Sequence, residues 1–301
     1  MLFRSDGYCT ALREAVAEKY GVPKEHLIFG AGTDEVISML GKIFIEPGDE
    51  CITAAVTFSQ YAAAVESMGG VMVYAPMNGD AYDLDAIAAL ITDKTKLIFI
   101  ANPNNPTGDY FNAGAQARFL AKIPPHVTVV LDEAYQEYVT AADYPNTLET
   151  LKRYDNTILL KTFSKIYGLA SIRVGFGIAR AETITQMEKI RCPFNVTAQA
   201  QAAAVAALSD TEFVKTSHEL NRNVMAFTES ALSEMGLEYI PSQANFLMVN
   251  TRRPSMPLFE ALMRKGYIIR AGKALGMENY LRVTIGTEEQ MEGFIKALKE
   301  V

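Results

Sequence analysis

Five runs of aliphatic and β-branched residues constrain this chain more than anything else in it: Cys51-Ile-Thr-Ala-Ala-Val56, Val71-Met-Val-Tyr74, Lys96-Leu-Ile-Phe-Ile-Ala101, Val127-Thr-Val-Val-Leu131 and Ile158-Leu-Leu160. Each is close to continuously apolar, whereas a strand with one wet face would alternate. Helical patterns separate several of them. An Ala-rich one opens near Thr57-Phe58-Ser59-Gln60-Tyr61, and another covers residues 83–90 with Asp83 as its cap. Strands buried on both faces and joined through helices form a parallel sheet with helices packed on either side. Ligands bind such sheets at the carboxyl ends of the strands, so the residues that follow each run are the ones to weigh.

The most informative of these segments runs from Thr162 to Gly177. An apolar strand enters a hydroxyl-bearing turn, Thr162-Phe-Ser164-Lys165, and a glycine-rich stretch then brings Arg173 into play. A lysine acts as a nucleophile only when its amine can shed a proton near neutral pH, and a neighbouring cation such as Arg173 favours that. The hydroxyls and the guanidinium also suit a phosphate. Pyridoxal 5'-phosphate asks for both, an amine for its aldehyde and a cradle for its phosphate. An isolated Ser-Lys pair is far more often a surface loop, so the company it keeps decides the matter.

Gly30-Ala-Gly32-Thr33-Asp34 joins a short apolar strand to a helix, and a glycine turn there presents free backbone N–H groups to an anion. Thr and Asp at a helix start serve equally well as plain caps. Asn102-Pro-Asn-Asn105-Pro-Thr-Gly108 follows the third apolar run directly. It is either a rigid polar turn or a source of an amide donor, Asn105, for a ligand oxygen. Asp132 ends the fourth run in Asp132-Glu-Ala-Tyr135, where a carboxylate at the tip of a buried strand is costly unless a cation or a helix terminus pairs with it.

With 301 residues, 49% of them apolar, the chain can bury a substantial core and has room for one large domain and one smaller. A net charge of −7 without a long basic run speaks against nucleic acid as a partner. No window approaches a membrane span. Cys9, Cys51 and Cys192 are scattered without a CxxC pattern, which fits a reducing cytoplasm. His26, His126 and His218 stand apart from one another and from any second ligand, so neither a His-based metal site nor a Ser-His-Asp triad is expected.

At the two ends the pattern differs. Residues 10–20 read as an amphipathic helix with Leu12, Ala15 and Val16 inward and Arg13 and Glu14 on the polar face. Residues 210–235 read as one long helix with Phe213, Leu220, Val224 and Phe227 toward a core. Short strands at 237–240, 244–249, 267–270 and 280–285 then surround a helix at 256–265, and a last helix spans 288–299. This reads as a smaller α+β domain, which divides the chain into a large domain over 1–216 and a small one over 217–301.

Taken in order, Gly30-Ala-Gly-Thr-Asp-Glu35, Asn102-Pro-Asn-Asn-Pro-Thr-Gly108, Asp132-Glu-Ala-Tyr135, Thr162-Phe-Ser-Lys-Ile-Tyr-Gly-Leu-Ala-Ser-Ile-Arg-Val-Gly175 and Leu281-Arg-Val-Thr-Ile-Gly286 resemble the motifs of the fold type I pyridoxal-phosphate aminotransferases. They are most similar to the histidinol-phosphate aminotransferases. The resemblance implies a large domain built on a mostly parallel seven-stranded sheet flanked by helices, followed by a smaller α+β domain. It implies Lys165 as the Schiff-base lysine that also moves the proton, and Asp132 as partner of the pyridine nitrogen. Asn105 and Tyr135 would hold the ring oxygen. Gly32, Thr33, Thr162, Ser164 and Arg173 would hold the phosphate, with Phe58 stacked on the ring. Arg282 is implied as receiver of the substrate carboxylate, Arg270 as a further cation for a phosphorylated donor, and Asn245 as a neighbour of the substrate.

The implied reaction passes an amino group between histidinol phosphate and 2-oxoglutarate, in histidine biosynthesis, by a cytoplasmic homodimer. The alternatives are a phosphothreonine decarboxylase, an aromatic amino acid aminotransferase of the same family, and a cofactor-binding paralogue with little activity. Members of the family carry an upstream arm and a Tyr-Pro-Asp whose tyrosine reaches the partner's cofactor phosphate. Here Phe3-Arg4-Ser5-Asp6 stands in that region, with Arg4 at the tyrosine's place. The chain is therefore expected to be N-terminally truncated, with a weaker hold on its cofactor.

Overall fold

The computed structural model describes residues 6–301, and Arg4 lies outside the described residues. The first part of the chain runs α1 (Thr10–Tyr20), β1 (Leu27–Gly30), α2 (Thr33–Phe44), β2 (Glu50–Ala54), α3 (Gln60–Glu66), β3 (Val71–Ala75), β4 (Met77–Asn78), β5 (Ala81–Tyr82), α4 (Leu84–Ala89) and β6 (Thr95–Ala101). It continues through α5 (Ala113–Leu120), β7 (Thr128–Asp132), α6 (Thr147–Arg153), β8 (Thr157–Thr162), β9 (Gly175–Ile178), α7 (Ala181–Ile190) and α8 (Ala198–Ser209). After α9 (Thr211–Glu234) come β10 (Glu238–Ile240), β11 (Phe246–Asn250), α10 (Ser255–Arg264), β12 (Arg270–Ala271), β13 (Tyr280–Thr284) and α11 (Glu288–Lys299). Side chains that accept from the first turn fix several starts: Asp83 for α4, Asn112 for α5, Asn146 for α6, Asp210 for α9, and a Thr287/Gln290 capping box for α11. Each such cap contributes about 1 kcal/mol.

Seven strands form the main sheet in the order β1-β9-β8-β7-β6-β2-β3. The pairs among β8, β7, β6, β2 and β3 are parallel, and β9 runs antiparallel to both of its neighbours. The apolar runs supply both faces by simple alternation. Leu97, Phe99, Val130, Ile158 and Leu160 pack on one side with residues of α2, α3 and α7. Ile98, Ile100, Val129 and Leu131 pack on the other beneath α4 and α5, and Leu159 and Phe176 beneath α1 and α8. Because both faces are covered, the central strands show no polar alternation, and their sequence reading as buried parallel strands agrees with the structure.

β9 is the strand that hydropathy does not announce, since its sequence is Gly-Phe-Gly-Ile. A Cβ on Gly175 would fall 2.6 Å from the Thr33 amide nitrogen, so β9 is glycine-rich because the start of α2 presses against it. The short helices α5 and α6 were likewise not read from the sequence.

The second sheet has the order β10-β11-β13-β12 and is antiparallel throughout. Its inner face packs Leu247, Val249, Leu281 and Val283 against Val224 and Leu232 of α9, Leu258 and Leu262 of α10, and Phe294 and Leu298 of α11. The helix α9 is 24 residues long. Val214 near its start packs with the core under the first sheet, and Val224 and Met225 belong to the core of the second.

Three expectations fail here. Phe213 and Leu220 are not in a core, being 48% and 44% exposed, because the first turns of α9 lie over the outer layer and only later turns reach the second sheet. Of residues 267–270 only Arg270 is in a strand, since pairing with β13 begins there. Arg13 is not on a wet face but 2% exposed: it donates to the carbonyls of Lys24 and Leu27 and pairs with Glu188 at 2.8 Å. Among the described residues no helix is long and apolar enough to cross a membrane.

Candidate active site

The parallel strands β2, β6, β7 and β8 end at Ala54, Ala101, Asp132 and Thr162, and the segments that follow them enclose a cavity with the β1–α2 turn. Thr33, Phe58, Asn105, Asp132, Tyr135, Thr162, Ser164, Lys165 and Arg173 line it. A wider cleft adjoins it, bounded by Arg270 and Arg282 and sharing Phe58, Asn105, Tyr135 and Lys165 with the inner cavity. The Lys165 amine therefore stands where the two meet, 5.1 Å from the centre of the Tyr135 ring.

Asp132 forms the floor. It is 5% exposed, and its two oxygens accept from the Tyr61 hydroxyl at 2.8 Å and the Ala134 amide at 3.1 Å. Burial raises its pKa above the ordinary carboxylate range, while the two donors and the Lys165 charge oppose that rise. Tyr61 is itself fully buried, stacked on Phe99 at 4.7 Å and edge-on to Phe58 at 5.6 Å.

At one end of the cavity the β1–α2 turn meets Arg173. Gly32 has φ 80, in the left-handed region that favours glycine, and a Cβ there would collide with the Arg173 guanidinium. The helix α2 starts at Thr33, so its first backbone N–H groups are free of intrahelical partners. Arg173 pairs with Asp34 at 2.9 Å and donates to the Ala170 carbonyl. Its own φ is 58, a conformation costing a non-glycine residue about 1–3 kcal/mol. Thr162 Oγ1 accepts from the Ser164 amide at 3.0 Å, which closes the turn before Lys165.

Toward the outer cleft, Arg282 donates from Nη1 to Asn105 Oδ1 at 2.5 Å and lies 5.0 Å from the Phe246 ring centre. Its Nε is buried and has no hydrogen-bond partner among the described residues. Burial, and after it the charge of Arg270, lower its pKa, with Tyr135 acting the other way. Arg270 and Arg282 are paired positions of β12 and β13. Asn245 lines neither space; its carbonyl accepts from the Ile285 amide.

Three supports of this site, Tyr61, Asp34 and Asn104, leave little trace in the sequence. Tyr61 was read only as part of a helix start. Asp34 was read as a cap, and it pairs instead with Arg173. Asn104 is fully buried and ties the chain before Phe58 to the Asn105 turn, through the Val56 carbonyl, Thr57, Tyr82 and Thr107. Apart from Thr107 these partners lie 22 to 48 positions from Asn104, so the sequence offers only the signal of an Asn amid a rigid turn.

Residues 5–298 match the family model described as aminotransferase class I and II. The chain is 48% identical over 297 residues to a histidinol-phosphate aminotransferase of Moorella thermoacetica, covering 98% of this chain and 77% of the relative. To the protein of the same name from Bacillus subtilis it is 43% identical, covering 98% and 82%. Among solved structures, the histidinol-phosphate aminotransferase of Sinorhizobium meliloti in complex with pyridoxal-5'-phosphate superposes with a TM-score of 0.93 at 27% identity, covering 99% of this chain and 82% of that one. A strand-end cavity with a lysine at its centre and a buried aspartate at its floor is thus joined by sequence likeness along nearly the whole chain, which belongs to the class I and II aminotransferases.

Proposed function

We propose that the protein transfers the amino group of histidinol phosphate to 2-oxoglutarate with pyridoxal phosphate as cofactor. The observation that carries the reading is the Lys165 amine standing between a buried carboxylate, Asp132, and an arginine, Arg282, that rests on Asn105. The donor set fits the cofactor. A primary amine suits an aldehyde, and a buried carboxylate without an internal cation suits a ring N–H. Asn105 and Tyr135 suit a ring oxygen. The Gly32–Thr33 amides, Thr162, Ser164 and Arg173 suit a phosphate, and Phe58 offers a face for stacking. Pyridoxal phosphate, when bound, supplies an electron sink that makes the donor's Cα–H acidic.

The residues then divide the work. Lys165 Nζ is the amine that would hold the cofactor's aldehyde. Once free, the same Nζ would serve as the general base that takes the donor's Cα proton and then as the general acid that gives it back. Asp132 would accept from the ring N–H and so favour the protonated nitrogen. Arg282 leaves Asn105 for the anionic group of the substrate, a role its planar fork and orphaned Nε suit. Arg270 adds a second charge beside it and favours the phosphorylated donor. Asn245 is proposed only as a neighbour of the substrate, carried by the resemblance.

We further propose a cytoplasmic homodimer and a division into large and small domains near residue 216; the membership of Val214 and Val224 in different cores supports the latter. The experiment is a donor panel. Glutamate alone should convert the cofactor absorbance to that of the amine form, and histidinol phosphate should do so at lower concentration than unphosphorylated donors. In Arg270→Ala the KM for histidinol phosphate should rise by about tenfold more than that for glutamate. Equal changes for both would remove the phosphate-reading role from Arg270.

A further inference from the structure

We infer that Tyr61 is a positioning residue that keeps Asp132 ionised and fixed in orientation, so that the ring nitrogen of a bound cofactor holds its proton. The inference rests on the transaminase reading above. Among the described residues, the Tyr61 hydroxyl is the side-chain donor on Asp132, at 2.8 Å from Oδ2, and the backbone of Ala134 serves the other oxygen.

The chemical type of that donor is what carries the argument. A lysine or arginine in its place would neutralise Asp132 and leave no charge to attract a ring cation. A purely apolar neighbour would leave a buried carboxylate that protonates and cannot accept the ring N–H. A neutral phenol favours the anion while leaving its charge uncompensated. The geometry is held as well. The Tyr61 ring lies parallel to Phe99, 4° between planes, and is closed in from the side by Phe58, so the hydroxyl cannot turn away without repacking. Phe58 and Tyr61 lie three residues apart at the start of α3, and one short segment thereby carries both the face offered to the ring and the group that holds its acid partner. Among the described residues, the titratable groups that act on Asp132 besides Tyr61 include Lys165 and Asp34, and the Tyr82 and Tyr144 phenols feel its charge as well. A tyrosine needed only for packing would require the ring and not the hydroxyl.

The test uses the holoenzyme reconstituted with pyridoxal phosphate labelled with 15N in the ring. In Tyr61→Phe, which keeps the aromatic stack, the ring resonance should move toward the unprotonated position. At the same time kcat should fall by about ten- to a hundredfold with the donor KM little changed, the pattern of a lost transition-state interaction. A fluorinated tyrosine at position 61, a stronger donor of nearly the same shape, should carry the protonated signal to higher pH. It serves also if Tyr61→Phe fails to fold. An unmoved resonance in either variant overturns this inference alone. If the unsubstituted protein forms no complex with pyridoxal phosphate, the transaminase reading falls and takes the inference with it.

Discussion

Asp132 and Glu133 are neighbours in sequence and equally buried, each 5% exposed, yet they are provided for in opposite ways. Asp132 faces the cavity and is held by two neutral donors. Glu133 faces the reverse of the sheet, where it accepts from Thr147 and pairs with Lys161 at 3.4 Å. The next strand repeats the contrast: Thr162 faces the cavity, and Lys161 lies behind it between Glu133 and Glu137, with Gln136 accepting at 2.9 Å. A buried carboxylate with its own cation is complete, because breaking the pair would strand a charge. One held by neutral donors keeps its charge for a partner from outside. The two lysines, 161 and 165, differ in the same sense: the first is 3% exposed among carboxylates, the second stands in the cavity wall.

The sharpest way to break this comparison is to ask which lysine reacts. Borohydride reduction of the holoenzyme followed by peptide mapping should place the cofactor on Lys165 alone. Lys165→Ala should lose the label and at least roughly 10⁴-fold in turnover, the upper range of what one proton-transferring group supplies. Label on Lys161 would erase the distinction.

The next largest effect concerns stability. Lys161→Met leaves the buried Glu133 and the half-buried Glu137 without their cation and should cost about 3–5 kcal/mol in denaturant unfolding of the cofactor-free protein. Adding Glu133→Gln should restore part of it. A loss below about 1 kcal/mol would mean that the reverse face does not depend on its internal pair.

Asp132→Asn should do the opposite. It should leave stability unchanged or improved while lowering kcat by about 10²–10³, the range for losing one preorganised electrostatic contact. Near-normal turnover would place the ring's partner elsewhere.

The smallest effect is on pH. Burial holds the Asp132 pKa above its ordinary 3.8, so the folded cofactor-free protein takes up this proton more readily than the unfolded chain. The stability this group contributes is present below its unfolded pKa and is lost as pH rises through the higher folded value. Subtracting the Asp132→Asn profile from that of the parent should leave a slope of that sign, at most about 1.4 kcal/mol per pH unit for one group. A difference that rises with pH would contradict it.

The sequence carried the parallel sheet because buried strands must be apolar along their whole length, and it carried the inner cavity because Asp132 and Thr162 end such strands and Asn105 and Lys165 stand in the turns just after them. The supports were less legible for reasons of geometry. Tyr61 reaches Asp132 across 71 positions, and Asp34 reaches Arg173 across 139, so no local pattern links them. Lys161 gives no signal in the sequence because its carboxylates come from another segment. Arg13 misled in the other direction: helical spacing put it on a wet face, while the carbonyls that bury it belong to the chain beyond the helix. Asn245 was carried by resemblance, and a backbone bond is what the structure shows for it.

The length of α9 has a mechanical consequence. Its sequence contains neither proline nor glycine, so it has no natural place to kink and would tilt as one rigid beam. Near its middle, His218 Nδ1 donates to the Glu137 carbonyl and Asn221 to that of Ala244, one contact to each half of the molecule. They would serve as a fulcrum. With arms of about 13 Å toward Thr211 and about 22 Å toward Glu234, a tilt of about 5° would sweep the tips by roughly 1 Å and 2 Å. One tip lies in the core behind β11 and β13, the strand of Arg282. The other sets Phe213 over Gly168, three residues beyond Lys165. A pull on the arginine from the substrate side would arrive, through the beam, as a push at the turn that carries the amine.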